Sequence, residues 1–63
     1  MIPMYPKDLM PGDQIQCLTY GLLTIESVIP WDERYPFSQM VETDRGRRDL
    51  TSNKVVWVKR EGA

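Results

Sequence analysis

The chain has 63 residues, one cysteine, no histidine and a formal net charge of −1. A single cysteine excludes an internal disulfide, and the lack of histidine removes an ordinary zinc site and the usual nucleophile–base pairs of enzymes. No apolar segment approaches the roughly 20 residues of a membrane span, and the first residues lack a signal-peptide pattern. We therefore expect one cytoplasmic domain over residues 1–63, with no enzymatic activity, cofactor, metal or membrane contact.

Residues 1–8 predict an extended N-terminal arm. Pro3 and Pro6 oppose both helix and regular strand pairing, so the apolar side chains around them need cover from the rest of the domain. We expect the arm to lie over one end of a barrel, with Leu9 as a plug. The Pro11-Gly12 pair then predicts a sharp turn.

A first strand is predicted over 14–19, followed by a central strand over 20–29, the longest apolar and β-branched run in the chain. Leu23 and Ile25 fall on one face, and a slip at Ser27 brings Val28 to the same face, which indicates a bulge. Cys17 is interpreted as a small buried hydrophobe, because no cation or base is apparent beside it.

The second half predicts three more strands. A third strand over 37–43 has Phe37 inward, and a tight turn with Gly46 at positive φ leads to a fourth strand over 47–50. One 3₁₀ turn is expected at 51–53, and the last strand, 54–59, carries Trp57 outward. Residues 61–63 should fray. The predicted core is Leu9, Ile15, Cys17, Leu23, Ile25, Val28, Val41, Leu50, Val56 and Val58.

This layout resembles an SH3-like small barrel. The resemblance rests on Leu9-x-Pro11-Gly12-Asp13-x-Ile15, on Gly21-x-x-Thr24-Ile25-x-x-Val28 and on Asp44-Arg45-Gly46. It implies an all-β fold of five strands, with a short 3₁₀ turn before the last strand. In size and style the chain also resembles small accessory proteins encoded by bacteriophages, which would act in the cytoplasm of a host cell.

Two subfamilies of such barrels offer functions. The Gly-Asp-x-Ile start resembles KOW-type barrels, which bind RNA or ribosomal and transcription proteins, but a further glycine of their motif is absent. Tudor-type barrels bind methylated side chains in an aromatic cage, which here would use Asp32 or Glu33 as the anion. The residues available for such a cage are Tyr20, Trp31, Tyr35 and Phe37.

The segment 30–36 is the most unusual loop, because prolines bracket two large aromatics and three charges. Loops often carry function, and Trp and Tyr are enriched at binding hot spots. With two further apolar side chains that are expected to face outward, the loop predicts a protein-binding module. The candidate partner-binding residues are Trp31, Tyr35, Met40 and Trp57.

The charges suggest a second hypothesis. Residues 1–44 carry two basic and seven acidic side chains, whereas 45–63 carry six basic and two acidic ones. A basic surface near the C-terminus would bind nucleic acid, although the chain as a whole is acidic. Its candidate residues are Arg45, Arg47, Arg48, Lys54, Lys59 and Arg60.

A third hypothesis is a structural or assembly role, because the apolar arm and the oppositely charged ends favour self-association. The arm and a few aromatics fall short of the roughly 1,000 Å² of a convincing interface. We therefore expect a weak homodimer at most.

Overall fold

The computed structural model describes residues 1–61. Their regular structure is all β apart from one 3₁₀ helix, Pro6–Asp8. The strands are β1 (Ile2–Met4), β2 (Gln14–Cys17), β3 (Gly21–Val28), β4 (Ser38–Thr43), β5 (Gly46–Thr51) and β6 (Val56–Lys59). The all-β class is therefore confirmed.

The strands form one antiparallel sheet in the order β1-β6-β2-β3-β4-β5, which is not closed and has β1 and β5 as its edges. The long strand β3 pairs with β2 along its first half and with β4 along its second half. Its register shifts between Ile25 and Ser27, where the bulge was predicted. A bulge bends a strand, which allows β3 to belong to both halves of the sheet.

The turn between β4 and β5 also agrees with the sequence prediction. Gly46 has a φ of 95°, which costs little without a Cβ. The Thr43 hydroxyl donates to the Gly46 carbonyl at 2.7 Å and accepts from the Arg45 N–H at 3.1 Å. These two bonds fix the hairpin that carries β5.

The core lies on one face of the bent sheet. All ten predicted core residues pack in it, six of them buried and four partly buried, and Met4 of β1 joins them. Leu9, the predicted plug, is among the buried ones. The buried side chains are Leu9, Ile15, Leu23, Ile25, Val41 and Val58, and the partly buried ones besides Met4 are Cys17, Val28, Leu50 and Val56.

The described residues form six strands instead of the five expected, because part of the predicted arm is a strand. In β1, Pro3 lies opposite Trp57 of β6. Proline is tolerated there because β1 is an edge strand, where one missing donor leaves no neighbour unpaired. For Pro3, the prediction that proline opposes regular strand pairing was wrong.

Three smaller expectations have different outcomes. The single 3₁₀ turn expected before the last strand is present, because the Lys54 N–H donates to the Thr51 carbonyl at 3.2 Å. A 3₁₀ helix that was not predicted is Pro6–Asp8, where proline suits the first position. Phe37 is 68% exposed, because β4 begins one residue later and Phe37 belongs to the preceding turn. Of the tail that was predicted to fray, residues 62 and 63 lie outside the described part.

Candidate functional site

The loop between β3 and β4 is organised by Asp32 and Arg34. The Asp32 carboxylate accepts the Arg34 backbone N–H at 2.9 Å and forms an ion pair with its guanidinium at 2.8 Å. The hydrogen bonds from the Arg34 side chain, followed by that from its backbone, lower the pKa of Asp32. Asp32 is therefore already neutralised and does not offer the free anion that a methyl-lysine cage requires.

The same loop holds Tyr35 in place. The Tyr35 N–H donates to the Asp32 carbonyl at 2.9 Å, and the Tyr35 carbonyl accepts the Ser38 N–H at 3.0 Å. The Arg34 guanidinium lies 5.8 Å from the centre of the Tyr35 ring, within cation–π range. Tyr35 is therefore 55% exposed, although hydrogen bonds hold its backbone and Asp32 holds the Arg34 side chain beside its ring.

Buried Gln39 ties the start of the loop to β4. Its amide nitrogen donates to the Ile29 carbonyl at 2.6 Å and to the Met40 carbonyl at 3.2 Å. These bonds satisfy a polar side chain in the core and a loop carbonyl at once. Gln39 was not among the residues predicted from the sequence, although its inward position follows from alternation with Val41.

A groove of about 200 Å³ lies on the outer side of β4 and β5, and Tyr35, Ser38, Met40 and Asp49 line it. We call it the β4–β5 groove. Met40 and Asp49 are direct partners in the strand register, so both side chains rise from the same face. Among residues 1–61, Asp49 has no ion-pair partner. The groove therefore combines apolar walls with one unpaired carboxylate.

The structure brings together only two of the four predicted partner-binding residues. Tyr35 and Met40 share the β4–β5 groove, whereas Trp31, 55% exposed, is not part of its lining. Trp57 is half exposed on β6. In the sheet, β2 and β3 lie between β6 and β4, so Trp57 is distant from the groove. It lies opposite Pro3. Tyr5 and Val55, each two residues along the chain from this pair, are also exposed, and we call these four residues the second apolar surface.

The predicted basic surface is divided. Arg47 forms an ion pair with Glu42 at 2.9 Å, and Arg60 is bound to the buried Asp13. Lys54 belongs to the turn before β6, whereas Lys59 is exposed at the end of β6, opposite Gln14. These four side chains therefore do not form one continuous cationic face.

Arg45 and Arg48 instead meet at Tyr20, in the turn between β2 and β3. Their guanidinium carbons lie 5.2 and 5.3 Å from the centre of the Tyr20 ring. Neither side chain is in an ion pair within the described residues. This juxtaposition joins two hairpin turns that are distant in sequence. From the sequence, Tyr20 was predicted only as a member of an aromatic cage.

Cys17 has a cation nearby after all. Hydrogen bonds from the backbone of Tyr20 and Thr19 lower the pKa of its thiol, Arg48 lowers it further, and burial opposes them. The interpretation of Cys17 as a thiol without a neighbouring cation was therefore wrong. Its packing against the core was correct.

Other candidate sites are limited within the described part of the chain. No helix there is long and apolar enough to cross a membrane. No cluster of His, Cys, Asp and Glu side chains among these residues is suited to a metal ion. A cleft of about 450 Å³ is open and lined by Gly12, Gln14, Thr24, Lys59 and Glu61. The β4–β5 groove brings together two of the predicted partner-binding residues, Tyr35 and Met40.

No protein-family model, curated protein or solved structure matches this chain. The functional proposal therefore depends on the geometry of the site.

Proposed function

We propose that this protein is a non-enzymatic protein-binding module that receives part of a partner protein in the β4–β5 groove. The observation that carries the proposal is the groove itself, in which Tyr35 and Met40 stand beside the unpaired Asp49. Exposed aromatic and methionine side chains are enriched in protein interfaces, and a few polar groups orient the partner.

The fixed position of Tyr35 supports this choice of site. Its backbone is hydrogen-bonded on both sides, and Asp32 holds Arg34 near its ring. An anchor that is already ordered loses little conformational freedom when a partner binds, so more of the contact energy appears as affinity. Trp31 is less constrained by the contacts described and is assigned a secondary role.

The finer fold proposal is an SH3-like small barrel with β1 as an additional strand. The shared strand β3, its bulge and the β2–β6 pairing support it, because they bend one sheet around a single core. A bacteriophage origin and action in the host cytoplasm remain proposals based on the resemblance in size and style.

Nucleic-acid binding is the second candidate function. The specific observation in its favour is the unpaired Arg45 and Arg48 beside Tyr20. Guanidinium groups near an aromatic ring suit a phosphate backbone and a base. Two cations on an acidic chain provide little of the electrostatic attraction such binding uses, so we favour the protein partner.

A structural or assembly role is the third candidate. It would use the second apolar surface, where Pro3 and Trp57 are paired and Tyr5 and Val55 are exposed. No charged side chain within this set of four would orient a partner, so this surface supports a specific contact less well than the β4–β5 groove.

Selection from a displayed random peptide library, with the folded protein as bait, tests the proposed function. We expect selected peptides to lose about 30-fold in affinity for Tyr35→Ala or Met40→Lys, the loss of a hot spot. Trp57→Ala, a matched exposed aromatic outside the groove, should retain them. Failure to select any peptide, or peptides that need Trp57 and ignore Tyr35, would overturn this assignment.

A further inference from the structure

The free edge of β5 exposes backbone groups of alternate residues. Across the β4–β5 pair, the Ser52 N–H donates to the Phe37 carbonyl at 2.9 Å. In an antiparallel pair, the backbone N–H and C=O groups of successive residues point alternately toward the partner strand and away from it. The groups of Ser52 point toward β4, so those of the residue before it point away. The backbone groups of Arg47, Asp49 and Thr51 consequently face the free edge.

The opposite edge of the sheet, β1, lacks this feature. The Ile25 N–H donates to the Asp13 carbonyl at 2.7 Å, so the backbone groups of Asp13 point toward β3 and those of the next residue, Gln14, point toward β6. The same alternation can be followed through the pairing of β2 with β6 and of β6 with β1. Pro3 is then the residue of β1 whose backbone faces outward, and it has no N–H. Of the two edges, β5 is therefore the one that offers a row of donors to another strand.

Asp49 connects this edge to the β4–β5 groove. Its backbone faces the free edge, and its side chain lines the groove with Tyr35 and Met40. A strand added to β5 would place one side chain directly opposite Asp49, with the Cβ atoms about 5 Å apart. A long side chain at that position reaches across Asp49 to the groove.

The charges around the groove select the kind of side chain. Asp32 and Glu42 are neutralised by Arg34 and Arg47 respectively. Asp49 has no such partner among the described residues. An apolar stem with a cationic head matches these surroundings, because it packs on Met40 and Tyr35 and compensates the carboxylate.

Resting on the proposed function, we propose that the partner protein supplies an extended segment that adds as a strand to β5 and places a lysine or arginine against Asp49 in the β4–β5 groove. Backbone hydrogen bonds to the free edge supply affinity, and the cationic side chain supplies specificity.

A second copy of this chain fits the edge less well. Because equivalent edge-facing residues must meet, the two-fold antiparallel registers that use most of β5 centre on Arg48 or on Asp49. The first places Arg48 opposite Arg48; it also places Arg47 opposite Asp49 on either side, but this arginine is already bound to Glu42. The second places Asp49 opposite Asp49. Like charges directly opposite each other destabilise a strand pair, so the occupant is a segment of different sequence.

The peptides selected by the folded protein test this inference. We expect lysine or arginine to be enriched in them, and Asp49→Asn to weaken their binding about tenfold. Glu26→Gln, which removes the same charge from an exposed position on β3, should leave binding unchanged. Bound peptide should also slow hydrogen exchange of the Arg47, Asp49 and Thr51 amides. N-methylation of alternate peptide amides in the phase that faces β5 should abolish binding.

Two results separate this inference from the proposed function. Peptides that lose affinity for Tyr35→Ala, but bind Asp49→Asn as well as the parent or leave amide exchange on β5 unchanged, would overturn the added strand and its cation while keeping the groove. Peptides indifferent to Tyr35→Ala, or no selected peptide at all, would overturn both.

Discussion

Asp13 and Arg60, 47 positions apart in sequence, are joined by two hydrogen bonds, Nε to Oδ1 at 2.9 Å and Nη2 to Oδ2 at 2.8 Å. Nη2 also donates to the Asp8 carbonyl at 3.1 Å and lies 3.5 Å from the Met4 sulfur. The Met10 N–H also donates to Oδ2 of the Asp13 carboxylate, at 2.8 Å. One buried carboxylate thus connects the end of β6 with the segment that precedes β2.

This connection should make stability depend on pH. The hydrogen bond with Arg60 is the largest cause that lowers the pKa of Asp13, and burial opposes it. Because the folded pKa lies below the unfolded value, the carboxylate stabilises the fold above about pH 4 and loses this effect as pH falls through the folded pKa. Asp13→Asn should cost about 1–3 kcal/mol at neutral pH.

Denaturant unfolding of both proteins between acidic and neutral pH measures this effect. The parent should lose stability more steeply than Asp13→Asn on acidification. Glu33→Gln, which removes an exposed carboxylate, should follow the parent. Parallel curves for the parent and Asp13→Asn would show that Asp13 does not couple folding to pH.

Ile25 should be among the most sensitive core positions. It is 1% exposed and lies next to the bulge in the strand shared by both halves of the sheet. Truncation to Ala should cost roughly 2–5 kcal/mol, a large share of the stability of a small domain. Leu22→Ala, on the same strand but 39% exposed, should cost less than about 1 kcal/mol. Equal losses in denaturant unfolding would contradict the assignment of the core.

The sequence was informative where the physical cause is local. Alternation of side chains, interrupted by one slip, predicted that Ile25 and Val28 lie on the same face, and the register shift agrees with it. The turn was predicted from Gly46, which has the positive φ that glycine tolerates. The prediction that Phe37 faces inward was wrong, because alternation does not reveal where a strand begins. A local pattern thus predicts faces and turns better than ends.

The candidate site was predicted only in part, because its geometry depends on strand pairing. Asp49 joins Tyr35 and Met40 only through the β4–β5 register. The neutralisation of Arg60 likewise needs the whole fold, since Asp13 lies at the other end of the chain. Composition identified the aromatics and the basic residues but did not show which of them stay free.

Gln39 should be required for the position of the loop that carries Tyr35. Replacement by Ala leaves the partly buried Ile29 carbonyl without this donor and should cost about 1–3 kcal/mol. Hydrogen exchange should also accelerate at the Ile29 amide, which donates to Met40 at 3.0 Å. Gln16→Ala, a matched substitution at an exposed site on β2, should change neither quantity. Normal exchange in Gln39→Ala would mean that the loop is held by other contacts.

The nucleic-acid alternative makes a distinct prediction about salt. If Arg45 and Arg48 alone contact phosphates, the affinity for single-stranded DNA should be weak, with a log–log salt slope no steeper than about −1.4. We expect no retention at physiological salt. Any retention at low salt should vanish in the Arg45→Gln, Arg48→Gln double variant and persist in Arg47→Gln, Lys54→Gln. Tight binding at physiological salt would make nucleic acid the better functional assignment.

The last prediction concerns self-association through the edge of β5. The parent should sediment as a monomer at low micromolar concentration, because the registers that pair β5 with its own copy oppose like charges at Arg48 or Asp49. Asp49→Thr removes the repulsion from one of these registers and adds a residue favoured in strands, so it should self-associate more strongly than the parent. Asp49→Lys, which restores repulsion with the opposite sign, should remain monomeric. A tight dimer of the parent, or equal sedimentation of the parent and Asp49→Thr, would show that charge on β5 does not control pairing at this edge.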